Sequence, residues 1–276
     1  MVNLQLSSFT SFTANYLDVS TQIFSLIETA RDQSRRGFRL RRFEAKSRIL
    51  IITIPTGLHE TLHREIYNQY YSNVVQRGLR KSWKDIAATT LRAQGHPRGD
   101  GGNGGEADSA GGPYPQRAFD GDWPTLVVEA GVSETLPELR RDMRWWFSTS
   151  NHQVKIVLLA KFEHTETKII LEKWVERPPP PRQGATTTRR AAMLEPWCDQ
   201  EIFITRNPGI TDSHRNRFDP ESFTVTRGAL RLEFNLLFLR EPIQEEGDVI
   251  ISVEGLQDYA SVVWTSRPGV LREPTI

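Results

Sequence analysis

An α/β fold with a β-rich C-terminal extension is what the sequence predicts, on three observations. The stretch Trp123 to Phe162, WPTLVVEAGVSETLPELRRDMRWWFSTSNHQVKIVLLAKF, reads as strand, helix, strand. Two apolar runs joined by a helix of that length make a parallel crossover unit. Upstream, RILIITI at Arg48 to Ile54 is a β-branched run that ends at Pro55 and is followed by a helical apolar stripe. Downstream of Ala160, strand candidates dominate.

The crossover unit is the centre of the chain. Thr125 to Val128 ends in one acid, Glu129, before Ala130 and Gly131. An acid at the carboxyl end of a buried strand points to the place where open α/β sheets bind ligands. Ser133 or Thr135 caps the following helix, Pro137 suits its first turn, and Leu136, Leu139, Met143, Trp146 and Phe147 form its buried face. Arg140, Arg141 and Arg144 fall elsewhere, on a solvated face or a cationic wall beside the acid. Trp145 packs at the helix edge, with base stacking as the alternative.

The other elements follow in order. Leu17 to Ala30 is a helix with Asp18 or Ser20 as cap, and Arg35, Arg36, Arg39, Arg41 and Arg42 then crowd around Phe38, Leu40 and Phe43. Their alternation is imperfect; a solvated hairpin edge protected by charge is the simple reading, a phosphate-contacting strip the other. Gly57 to Gly78 is a helix capped by Thr56, with Leu58, Leu62, Ile66 and Tyr70 as its stripe. Trp83 to Arg92 is read as a strand entering a Gly-rich connector from Gly95 to Gly112 that lacks the Lys-Ser/Thr ending of a phosphate loop. Within that approach, Glu106 and Asp108 read by themselves as loop charge. Lys168 to Val175 alternates as a strand, Pro178 to Arg190 is a stiff, basic linker, and strands are expected at Glu201 to Thr205, Ser222 to Thr226, Ala229 to Leu239 and Asp248 to Val253 before a last helix, Leu256 to Trp264.

Composition narrows the function. At 276 residues the chain buries one substantial core, or one core with a small appendage. A formal charge of +1 provides no global field for nucleic acid, so such a partner would need local Arg patches. Lysine is scarce, at seven residues, so a catalytic lysine comes from a short list. Cys198 is the only cysteine, which excludes an internal disulfide and a multi-cysteine zinc site. No run approaches the roughly 18 apolar residues of a membrane span. The expectation is an intracellular protein of cytoplasm or nucleus that does not engage a membrane.

One motif lies within the second helix. His59-Glu60-Thr61-Leu62-His63 matches H-E-x-x-H, in which two imidazoles on one helix face bind zinc and the Glu activates water. Two features oppose it. The Thr56 cap puts His59 in the first turn, where the positive end of the macrodipole repels a cation, and no third ligand follows at a recognised spacing.

Three pieces together, RILIITIPTGLHETLH, then EADS, then the crossover unit, resemble an uncharacterised fungal family. That family looks like a distant branch of the PD-(D/E)XK restriction-endonuclease-like superfamily. The resemblance covers Arg48 to Val175 and implies a restriction-endonuclease-like core, a mixed central sheet flanked by helices. It also implies a Mg²⁺ cofactor, with Asp108 of EADS and Glu129 of VVEAG as catalytic acids and metal ligands, joined by an acid of the preceding helix, Glu65 or Glu60. Two carboxylates at strand ends suit Mg²⁺, which takes oxygen ligands and keeps waters. The motif's lysine, two positions after the acid, is Gly131 here; Lys155, at the start of the next strand, is the first choice for a migrated base, Arg141 the second.

The expected organisation is a nuclease-like core with N-terminal helix and hairpin over residues 1–177, a Pro/Arg-rich linker over 178–197, and a β-rich extension packed on the core over 198–276. Three functions stand open: a Mg²⁺-dependent phosphodiesterase on nucleic acid through Asp108, Glu129 and Lys155; a catalytically inactive nuclease-fold binding module; and a zinc hydrolase through His59, Glu60 and His63.

Overall fold

The computed structural model describes residues 12–34, 37–86, 89–93, 102–179, 194–210 and 219–267. Among them are five α-helices and a large mixed sheet. The first region is a small sheet: β1 (Phe12–Tyr16), β3 (Ile49–Ile54), β2 (Arg39–Glu44), β6 (Gly104–Gly105) and β5 (Leu91–Arg92), in that spatial order, beside α1 (Thr21–Ser34). Ser20 caps α1 by accepting from the Ile23 N–H. Phe24 of α1 stacks on Phe43 of β2, with ring centroids 4.3 Å apart.

The second region is a seven-stranded sheet. β4 (Trp83–Ile86), β7 (Ser109–Pro113), β8 (Leu126–Gly131), β9 (Ile156–Glu163), β10 (Lys168–Arg177), β11 (Glu195–Arg206) and β12 (Phe223–Thr226) lie side by side in this order. Only the β8 and β9 pair is parallel, joined by α3 (Leu136–Thr149), so the predicted crossover unit is present. All six residues of β8 are buried, as a strand covered on both faces must be.

Alternation along β8 and β9 divides the core. Leu126, Val128, Ala130, Leu158, Ala160 and Phe162 pack with the α2 (Gly57–Gln76) stripe of Leu58, Leu62, Ile66 and Tyr70. Val127, Val157 and Leu159 pack instead with Leu139, Met143 and Trp146 of α3. Thr56 caps α2, accepting from the His59 N–H, and Thr135 with Glu138 forms a capping box on α3. The C-terminal segment adds the β13 (Leu230–Leu232) and β14 (Val249–Ile251) pair, the short helix α4 (Phe234–Phe238), and α5 (Val253–Thr265). Tyr259 of α5 donates its hydroxyl hydrogen bond to the Leu62 carbonyl of α2, 2.9 Å away, and Trp264 lies against Phe162 and Phe223.

Several expectations need correction. Arg39, Arg41 and Arg42 do not lie on a solvated hairpin edge: β2 is the middle strand of its sheet, and Arg41 and Arg42 are buried on carboxylates. The segment Trp83 to Arg92 is two strands in different sheets, not one. The Gly-rich stretch becomes β6 and β7 by Gly112, because only glycine fits there: a Cβ on Gly105 would fall 2.6 Å from the Arg41 carbonyl. Ala229 to Leu239 is a short strand followed by α4. β11 starts at Glu195, inside the segment expected as linker, while residues 180–193 of that linker, with Arg35, Arg36 and residues 94–101, lie outside the described residues. No helix among the described residues is long and apolar enough to cross a membrane.

Candidate active site

Asp108 sits on a bend at the entry to β7. The last antiparallel pairs, Ser109 with Val128 and Ala110 with Val127, place it beside Glu129 at the end of β8. Where β7 stops pairing, the Asp108 carboxylate takes over the ladder, its Oδ2 accepting from the Ala130 N–H at 2.8 Å. Arg39 of β2 clamps the bend, donating to the Asp108 and Ala107 carbonyls at 2.9 and 3.2 Å and lying 3.6 Å from Asp108 Oδ1. Burial pushes the Asp108 carboxyl upward, but the neighbouring His59, His63 and Arg39 and the Ala130 N–H outweigh it and hold it below the usual range.

Glu129 has the opposite balance. It is 2% exposed and accepts one hydrogen bond from Trp146 Nε1 at 2.7 Å. Burial, then the charges of Asp108 and Asp142, push it well above the usual range, and Arg41 only partly offsets this. Two carboxyls that share one buried site are pushed apart in this way, one down and one up.

α2 contributes the third component. His59 and His63, one turn apart, are both buried, with ring centroids 5.5 Å apart. His59 Nε2 lies 3.4 Å from Asp108 Oδ2, and His63 Nδ1 shares a hydrogen with Ser109 Oγ at 2.8 Å. One donor atom from each of His59, His63 and Asp108 falls within 4.8 Å of the others. Glu60 adjoins them, 2.8 Å from Arg39 Nη2 and 3.5 Å from His63 Nε2. Its burial raises the carboxyl, but His63 and Arg39 overcome that and bring it down to about 2.

The expected lysine is elsewhere. Lys155 precedes β9 at the far end of the sheet: its backbone N–H bonds to the Thr125 carbonyl and its Nζ donates to the His152 carbonyl at 2.6 Å. Glu129 lies four residues further along β8, about 13 Å at strand rise. Lys161 takes its place by register, since it pairs with Gly131 in the parallel ladder. Lys161 is buried, on the α3 side with Val157 and Leu159, and donates to the Val132 carbonyl at 2.9 Å. The absence of a side chain at Gly131 has a steric cause: a Cβ there would come within 2.8 Å of Leu139 Cδ1.

Glu65 is also misplaced as a ligand. Two residues past His63 it lies on the opposite side of α2, and its charge is felt by Tyr259 of α5; Glu60 is the helix acid at the site. Arg141 is exposed, 3.9 Å from Glu138, and Trp145 packs edge-to-face on Trp146. Glu106, read as loop charge, is buried and accepts from Arg31, from Thr90 and from the Leu40 N–H.

Beside Glu129 runs a second set of buried charges. Arg41 pairs with Glu134 at 2.9 Å and with Asp142, which also holds Arg42 at 2.7 Å. Burial opposes the Arg41 charge, but Asp142 and Glu134 chiefly, with Glu129 and Asp108 behind them, raise it further. Arg41, Arg42, Arg141, Ser133, Glu134 and Asp142 line much of a cleft of about 350 Å³ at the end of β8. No protein-family model matches this chain, and no curated protein does.

Sequence reasoning found both acids and the two histidines, but not their joint placement. Lys161 carried a weak signal as a charge interrupting the apolar run of a strand. Arg39 was lost among its neighbours, because which arginine faces inward depends on β2 being a middle strand.

Proposed function

We propose that the protein is a metal-dependent phosphodiester hydrolase of nuclease type, built on a PD-(D/E)XK-like core and acting on nucleic acid. One observation carries this reading. Along α2, β4, β7, β8, α3 and β9 the four strands are neighbours in chain order, and their register puts Asp108, Glu129 and Lys161 at the same end of the sheet. Asp108 and Glu129 would hold a divalent cation, which when bound supplies an activated water and neutralises charge on a phosphate. The two carboxyls, side by side at the strand ends and shifted in opposite directions, fit such a group. Lys161 stands at the level where the motif's lysine would act, and Arg41 joins the acids to a cleft whose Arg42 and Arg141 suit backbone phosphates. Mg²⁺ fits less well than a cation in general, because donor atoms of two imidazoles lie within 4.8 Å of an Asp108 oxygen.

Incubating the protein with plasmid, single-stranded DNA and RNA in Mn²⁺ or Mg²⁺ tests this. Asp108→Asn and Glu129→Gln should abolish cleavage, and Lys161→Met should lower kcat by about 10²–10⁴-fold. Cleavage unchanged in the two acid variants would refute the assignment. The burial of Glu129, with one carboxyl oxygen taken by Trp146, favours a second reading, an inactive nuclease-fold binding module. It predicts folded protein that binds nucleic acid without cutting it under any of these metals.

A further inference from the structure

We infer that His59, His63 and Asp108 form a binding site for a first-row transition cation of the Zn²⁺, Co²⁺ or Mn²⁺ class. The inference shares Asp108 with the hydrolase reading and otherwise stands on its own geometry.

Two imidazoles at i and i+4 share one face of α2, and both are essentially removed from water. A helix supplies two ligands; the third comes from the bend that leads into β7, by tertiary structure. Around a tetrahedral ion with donors at about 2.0–2.2 Å, neighbouring donors lie about 3.3–3.5 Å apart. His59 Nε2 and Asp108 Oδ2 are 3.4 Å apart. That separation is long for a charge-assisted hydrogen bond and natural for two ligands of one ion.

The surroundings also match. His63 Nδ1 is engaged by Ser109 Oγ, and its Nε2 points to the Glu60 side, 3.5 Å from Oε1. Metal-bound histidines are held in this way by the other ring nitrogen. Asp108 is fixed by the Ala130 N–H and by Arg39. Glu60, oriented by Arg39 at 2.8 Å, adjoins His63. The positive end of α2 carries about half an elementary charge against a cation; the carboxylates of Asp108 and Glu60 outnumber it. Two nitrogens and one carboxylate select a borderline transition ion over Mg²⁺, whose preference is for oxygen alone.

Titrating chelator-treated full-length protein with Co²⁺ should give one equivalent bound, with visible d–d absorption that Zn²⁺ displaces and millimolar Mg²⁺ does not. Ser109→Ala, a small change beside His63, should weaken Co²⁺ binding by about 10–100-fold; His63→Gln and Asp108→Asn should weaken it more. Glu129→Gln should leave it within about twofold, which separates this site from one built on the carboxylate pair. Absence of stoichiometric Co²⁺ binding by the folded wild-type protein overturns the inference. So does binding unchanged in folded Ser109→Ala and Asp108→Asn. Binding without any nuclease activity would retire the hydrolase reading alone, and Mg²⁺-dependent cleavage without Co²⁺ binding would retire this one alone.

Discussion

The two faces of the large sheet are built from the same strands and do different work. Toward α2 and α5, β8 and β9 present Leu126, Val128, Ala130, Leu158, Ala160 and Phe162, a dry apolar layer closed by Tyr259 and Trp264. Toward α3 the same strands start apolar, with Val127, Val157 and Leu159, and end in Glu129, Gly131 and Lys161. That end continues into Arg41, Glu134 and Asp142. An uninterrupted apolar face stabilises, whereas a face that turns ionic at the carboxyl end of its strands stores desolvated charge where a ligand can enter. The apolar face makes the same change at its own limit, where His59 and His63 open α2.

The contrast can be broken from either side. Trp264→Ala removes a fully buried indole between Phe162 and Phe223 and should cost about 3–5 kcal/mol in urea unfolding, with activity per folded molecule kept. Asp142→Ala leaves Arg41 and Arg42 buried without their shared partner and should cost a similar amount, about 3–5 kcal/mol. A loss below 1 kcal/mol would mean that this face is hydrated rather than dry.

Glu129 gives a pH signature. Its folded-state carboxyl is raised above the ordinary 4.5, so its contribution to stability is full below that value and is lost as pH rises through the raised one. In chelator, Glu129→Gln should therefore gain thermal stability over wild type as pH increases above 4.5, and a difference that shrinks with pH would contradict the burial argument. Glu60 acts at the other end. Its carboxyl is brought down to about 2, so the stability it contributes is present above 4.5 and fades as pH falls toward 2. Glu60→Gln should flatten that acid limb slightly, since the group is partly exposed. The smallest effect expected is Thr135→Ala, which removes the α3 cap at a cost of about 1 kcal/mol.

What was readable beforehand were local regularities. The stripe of α2, its Thr56 cap, the Thr135 cap of α3, the crossover unit and the acid at the end of its first strand all follow from spacings within a few residues. Other features needed the folded chain. Lys155 is the first choice for the base, with Arg141 second, until the β8 and β9 register sets Lys161 opposite Gly131, a placement that a sequence does not encode locally. The arginines of β2 read as an edge because nothing in their alternation reveals that β3 and β6 flank them.

The sequence by itself determined the longer helices and the central strands, that Glu129 ends a buried strand, and that His59 and His63 share a helix face, because each depends on backbone periodicity. Only the tertiary structure decided that Asp108, 45 residues beyond His63 in the chain, stands as the third donor beside them. That placement depends on β7 pairing with β8 beneath α2, a contact between distant segments whose energy comes from burying the sheet rather than from any local motif.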